Sequence, residues 1–159
     1  MSIYNNSSIY GGSFVQRDEL IAHETIQFKK TGDNVITSDY LARLSDSFVL
    51  RFFVNRTIKQ IVCFGAAVID SGFTPSYNSS DPYGGDIDYP SIAKADLSDV
   101  IGQFNSITQY SASLSQSKTN TFGFACTFKN GVFMLRSPRN VSFASNDYNA
   151  LTPVIFNYG

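Results

Sequence analysis

The stretch Thr121–Arg136, TFGFACTFKNGVFMLR, constrains the fold more than any other part of the chain. Asn130-Gly131 sits between two alternating runs, and both central residues of a type I′ turn need positive φ, which Asn and Gly tolerate. A two-residue loop pairs Lys129 with Val132. From there Phe128 opposes Phe133, Thr127 opposes Met134 and Cys126 opposes Leu135. Side chains alternate between faces along a strand, so one face collects Phe122, Phe124, Cys126, Phe128, Phe133 and Leu135. The other carries Thr121, Gly123, Ala125, Thr127, Lys129, Val132, Met134 and Arg136. Apolar pattern and turn register agree, which a one-residue slip would destroy. Such a face requires a covering layer, because a lone hairpin is only marginally stable in water.

The remaining strands follow the same period. Glu24–Lys30 alternates as a half-buried strand, and Thr31–Asn34 turns the chain. Ser38–Leu44 fits a turn of helix and a short strand about equally. Phe48–Asn55 sets Phe48, Leu50, Phe52 and Val54 on one face. Ile58–Ile69 sets Ile58, Val62 and Phe64 against Ile61 and Cys63, and both runs are apolar enough for central strands covered on two faces. Asn55-Arg56-Thr57 provides a tight connection between them. Val141–Ala144 predicts a short strand and Ser145–Asn149 a loop. Pro153 opens a last strand, Val154–Tyr158, and favours an edge position for it.

Two segments break the pattern. Asp70–Ser91 has turn chemistry throughout, with three of the five prolines and no stable period, and a loop of that length is functional or disordered more often than not. The one helix begins after Asp96: Leu97, Val100, Ile101 and Phe104 form an i, i+3, i+4, i+7 stripe that ends near Ile107. Ser106–Gln116 is open between the two periods. The sum is mostly β: an antiparallel β-sandwich, jelly roll or barrel with one short α-helix. Residues 1–13 form an arm, ordered only when something binds it, and 14–159 a single β-rich domain. At 159 residues the chain can bury a real core without staples.

Charge argues about partners. Charged residues are only 16% of the chain and the net charge is −1, which argues against nucleic acid, since phosphate binding needs clustered Lys and Arg. The distribution is uneven: +1 over 1–69 (seven basic, six acidic), −5 over 70–99 (one, six) and +3 over 100–159 (four, one). Solvated loop surfaces explain that split, and so would head-to-tail complementarity between copies. The first residues have neither the basic nor the apolar region of a signal peptide, and no apolar run is long enough for a membrane helix. Cys63 and Cys126, each inside an apolar strand, read as buried free thiols of a protein made in a reducing cytosol.

No catalytic motif stands out and no cofactor is implied. His23 is the only histidine, has no recognisable partner by spacing, and reads as an ordinary strand-edge residue. The acidic loop is the best small-ligand candidate: Asp81, Asp86 and Asp88 could surround Ca²⁺, and Tyr77, Tyr83 and Tyr89 could stack on a glycan. Solvated turn residues are the plainer explanation. The remaining candidates are contact residues: Tyr4 and Tyr10 in the arm, Lys129, Arg136 and Arg139 around the hairpin with Lys118, and Ile155 and Tyr158 in the terminal strand. Short strands, abundant Ser, Asn, Gly and Tyr, few charges and no Trp are similar to the composition of bacteriophage and other viral structural proteins. That resemblance implies a non-enzymatic, self-associating virion component, a tail, capsid or decoration subunit, made in the host cytoplasm and meeting copies of itself and other virion proteins. The alternative is a carbohydrate-binding β-sandwich, a lectin or receptor-binding fibre head, built on the Tyr/Asp-rich loop.

Overall fold

A computed structural model describes residues 2–3, 11–12, 23–112, 114–115 and 123–159. Ser2–Ile3 (β1) and Gly11–Gly12 (β2) pair in parallel with each other. All other strands fall into two antiparallel sheets. The larger contains His23–Phe28 (β3), Val49–Asn55 (β4), Gln60–Val68 (β5), Leu114–Ser115 (β8) and Tyr148–Asn157 (β11), in the order β3-β4-β5-β11-β8. The smaller contains Ser91–Asp96 (β6), Gln109–Ala112 (β7), Gly123–Lys129 (β9) and Val132–Arg136 (β10), in the order β6-β10-β9-β7.

The hairpin pairs as its sequence requires. Val132 opposes Lys129, Phe133 opposes Phe128, Met134 opposes Thr127 and Leu135 opposes Cys126. The turn has φ of 51° at Asn130 and 80° at Gly131. A Cβ on Gly131 would stand 2.2 Å from the Gly102 carbonyl oxygen, so glycine is needed for space as well as for dihedral. The predicted apolar face is the core face: Phe124, Cys126, Phe128, Phe133 and Leu135 are all buried. Thr121 and Phe122 lie outside the described residues.

The two sheets pack face to face through aromatic rings. Phe52 on β4 meets Phe133 on β10 edge-on at 5.0 Å, and Phe128 on β9 meets Phe156 on β11 at 5.1 Å. Each edge-on pair adds roughly 0.5–1.5 kcal/mol beyond the burial of its rings. Phe48, Leu50, Val54 and Ile61 complete the layer. On one side the chain itself joins the sheets. β7 pairs with β9 in the smaller sheet, and two residues on β8 pairs with β11 in the larger. The buried Ser111 hydroxyl secures the crossing by donating to the Thr152 carbonyl at 2.9 Å.

Several elements differ from their sequence expectation. The helix is a single turn, Ser98–Ile101 (α1), because Gly102 takes φ 74° and ends it; the predicted stripe still packs inward. Asp96 precedes the cap residue, Leu97, and its carboxylate accepts from the Ser98 N–H at 2.9 Å. β6, SIAKAD, carries neither a clean alternation nor bulky residues, and the pattern missed it. Ser38–Leu44 contains one 3₁₀ turn, Leu41–Arg43. The β4–β5 connection spans four residues, Arg56–Lys59, in a turn where Asn55 Oδ1 accepts from Thr57 and Ile58. Val141–Ala144 forms only a single bridge, Phe143 to Phe73. The terminal strand starts at Tyr148, well before Pro153. Leu151 opposes Gly65 and Val154 opposes Cys63, so Thr152 and Pro153 together face Phe64 across a bulge. A proline there removes no ladder hydrogen bond.

Candidate functional site

The long loop does not hang free. It lies along the outer face of the smaller sheet, and each predicted acidic residue meets a basic partner of the same chain. Asp81 pairs with Lys94 of β6, Asp86 with Arg136 of β10 at 3.4 Å, and Asp88 with Arg139 at 3.7 Å. Lys129 of β9 donates to the Pro82 carbonyl at 3.2 Å and stands 6.0 Å above the Tyr83 ring. Two of these pairs, Asp86–Arg136 and Asp88–Arg139, join the −5 segment to the +3 C-terminal region within one chain, while Asp81 and Lys94 both belong to the −5 segment. Sequence spacing gave no access to that pairing, because the partners are up to 51 residues apart.

Arg136 is the centre of the latch. Its side chain is only 9% exposed, and its Nη2 donates to Thr127 Oγ1 at 2.6 Å and Thr108 Oγ1 at 3.0 Å. Asp86 divides its carboxylate: one oxygen faces Arg136, and the other accepts from the N–H groups of Asp88 at 3.0 Å and Tyr89 at 2.7 Å, holding a turn. Asp81 is shared likewise between Lys94 and the Tyr83 N–H. Burial pushes the Asp81 carboxyl up, but the hydrogen bonds from Lys94 and Tyr83 outweigh it and hold its pKa below the ordinary value. The three carboxylates point to three different cations, and among the described residues no cluster of three His, Cys, Asp or Glu could hold a metal. Tyr77 is exposed, Tyr83 is half-buried beneath Lys129, and Tyr89 packs edge-on against Tyr110 at 6.1 Å. The three loop tyrosines thus form no common stacking platform.

The opposite face of the sandwich has another character. Register across the larger sheet aligns Thr25, Phe53, Val62 and Ile155 in one row, and His23, Asn55, Gln60 and Asn157 in the next. Phe53 is 36% exposed and Ile155 52%. β4 and β5 are central strands as predicted; on this face Val49 and Ala66 are buried but Phe53 further along is exposed, so the expectation of two covered faces holds only in part. On the third row Arg51 donates to Gln27 at 3.1 Å. Arg51 is the one charged residue in these rows, and amides and apolar side chains make up most of the remainder. The ring of His23, at the exposed end of edge strand β3, stacks on Phe53 at 6.1 Å.

The remaining candidates separate. Tyr158 is half-buried beneath the Lys59 ammonium, 5.8 Å from its ring, and burial pushes its phenol up. Tyr4, Tyr10 and Lys118 lie outside the described residues. Cys63 and Cys126 are buried free thiols lining one small apolar void between the sheets. Burial raises both, Cys126 to about 12 despite the nearby Arg136. Neither is a nucleophile at neutral pH, since the thiolate is the reactive form. Among the described residues no helix is long and apolar enough to cross a membrane. Compared with known proteins, the chain matches no protein-family model, and no curated protein or solved structure shows significant similarity to it.

Proposed function

We propose that the protein is a non-enzymatic structural subunit that associates with copies of itself, and that it serves as a component of a bacteriophage or other virus particle. The observation that carries the reading is the outer face of the larger sheet, where Phe53 and Ile155 stand exposed either side of half-buried Val62, among amides and with Arg51 the one charge in these rows. Interface centres are depleted of charge and enriched in aromatic residues. A face almost without charge also meets its own copy without like-charge repulsion, as a self-complementary contact requires. The virion assignment adds the compositional similarity to viral structural proteins. The carbohydrate-binding alternative draws less support, because Asp81, Asp86 and Asp88 face Lys94, Arg136 and Arg139.

The test is light scattering coupled to size-exclusion chromatography over a wide dilution series. Wild type should persist as an oligomer, and Phe53→Lys should shift it towards monomer with an unchanged far-UV spectrum. A wild-type chain that is monomeric at every concentration would refute the reading.

A further inference from the structure

The exposed rows span four strands and about five residues, or roughly 300 Å² of sheet plane per copy at ordinary strand spacings. A stable interface buries about 800 Å² on each partner. A self-associating chain therefore needs a second contact, and among the described residues the larger sheet leaves part of one strand edge unpaired. β8 covers β11 only at Asn149 and Ala150. Below the bulge, no described residue pairs with the far edge of Val154–Asn157. That edge forms one wall of a groove of about 250 Å³. Ile107 and Gln109 line the other wall, Phe104 and Phe156 contribute aromatic surface, and Ile155 and Asn157 stand at the rim. Ile107 is 76% exposed. The hydrogen bond between Ser111 and Thr152 joins β7 of the smaller sheet to β11 of the larger, and beyond it no described strand bridges the two edges.

The occupant is argued from charge, pattern and position. Neither Phe104–Gln109 nor β11 contains a charged residue. The first sixteen residues, MSIYNNSSIYGGSFVQ, are equally without a charged side chain. Drawn out as a strand, they place Ile3 and Ile9 on one side and Tyr4 and Tyr10 on the other. β1 pairs with β2, an exchange of two residues that an added strand would replace with a longer ladder. His23, Asn55, Gln60 and Asn157 share one row, so the chain enters β3 at the end of the sheet where β11 finishes, about 14 Å away across three strand spacings.

Resting on the self-association reading, we infer that the groove beside Val154–Asn157 receives the N-terminal segment of a second copy as an added β-strand. Main-chain hydrogen bonds to the β11 edge would supply affinity, and Ile3 or Ile9 against Phe104 and Phe156 the register. Each copy gives an arm and accepts one, a head-to-tail contact that closes into a ring or continues as a filament.

Two full-length variants test it, each first checked for an unchanged far-UV spectrum and melting temperature. Ile3→Asp/Ile9→Asp spoils the arm and leaves the groove; Ile155→Lys spoils the groove and leaves the arm. Each alone should associate at least about tenfold more weakly than wild type, because a charge brought into a desolvated contact is costly. Mixed, they should form a one-to-one complex that grows no further, with the Val154–Asn157 amides that face away from β5 newly protected from hydrogen exchange. A wild-type monomer would remove the self-association reading itself. A wild-type oligomer that the arm variant leaves intact, a mixture that forms no complex, or protection, already in a dilute monomer, of those Val154–Asn157 amides that face away from β5 would overturn the strand insertion.

Discussion

Replacing Arg136 by Ala removes the centre of the latch and should destabilise the fold by about 2–3 kcal/mol. The guanidinium gives two hydrogen bonds to the Thr127 and Thr108 hydroxyls, and bonds from charged donors contribute about 1.5 kcal/mol or more each. Part of that returns, because the two hydroxyls are already 3.2 Å apart and can satisfy each other. The ion pair itself adds little: Asp86 is 62% exposed and 3.4 Å away, so screening leaves at most about 1 kcal/mol. The buried Nε has no partner, a cost wild type already carries. Lost packing of the stem brings the total back to the stated range. Arg136→Met keeps most of the stem and removes the buried charge, and should cost only about 1 kcal/mol. Asp86→Asn keeps the oxygen that holds the turn and should stay within about 0.5 kcal/mol.

Urea unfolding followed by circular dichroism measures all three at constant slope. Chymotrypsin measures the loop separately, since the Tyr83–Gly84 bond becomes cleavable when the loop opens locally. Arg136→Ala should be cut faster at Tyr83 than Asp86→Asn. If Arg136→Ala unfolds within about 0.5 kcal/mol of wild type, or leaves cleavage unchanged, the loop is not held by this residue and the latch is wrong.

Three further outcomes follow from the core and the titrating groups. Phe133→Ala should lose about 3–5 kcal/mol, because it empties a fully buried ring site against Phe52 and Phe128; a loss below about 1.5 kcal/mol in urea unfolding would show that the sheets collapse onto the void. Asp81 has its folded pKa lowered, so its contribution is complete above the unfolded value near 4 and disappears as the pH falls through the folded one. Urea midpoints between pH 5 and pH 2.5 should decline less steeply for Asp81→Asn than for wild type, and equal slopes would contradict the pairing with Lys94. Cys63 and Cys126 should ignore an aromatic disulfide reagent at pH 8 in the folded protein and react fully in urea; prompt reaction of either native thiol would contradict its burial.

What the sequence discloses depends on how local the determining physics is. The hairpin was legible to the residue because its turn, its register and its apolar face are set within one short stretch. Phe48, Leu50, Phe52 and Val54 were legible as a buried face for the same reason. β6 was not: Ala93 and Ala95 reach the core as small residues opposite Leu135 and Phe133, and their strand exists because β10 is there to pair with it. The helix was overestimated, since its stripe is needed for packing but Gly102 stops the backbone after one turn. Pro153 was misplaced because a bulge, a property of two strands together, absorbs it. For the acidic loop the residues left a ligand site and plain solvated turns both open, and the pairing of its carboxylates with Lys94, Arg136 and Arg139 is an assignment that only the folded sheet makes.

The same pairing explains how a weakly charged chain divides its surfaces. Opposite charges of the loop and the smaller sheet are spent on each other, so that side of the sandwich is held shut and offers few free charges to a partner. On the outer face of the larger sheet the order is reversed: Arg51 is the one charge in the rows described, and the row of Phe53, Val62 and Ile155 runs towards the uncharged groove beside β11. Ile155 belongs to both the row and the groove rim. A copy seated on the sheet face would therefore bring its arm near the edge, and a charge at Ile155 should weaken both contacts at once. Ile155→Lys should accordingly reduce association more than Phe53→Lys, measured by the same light scattering. If the two variants weaken assembly equally, face and groove are not coupled through this residue, and each must act alone.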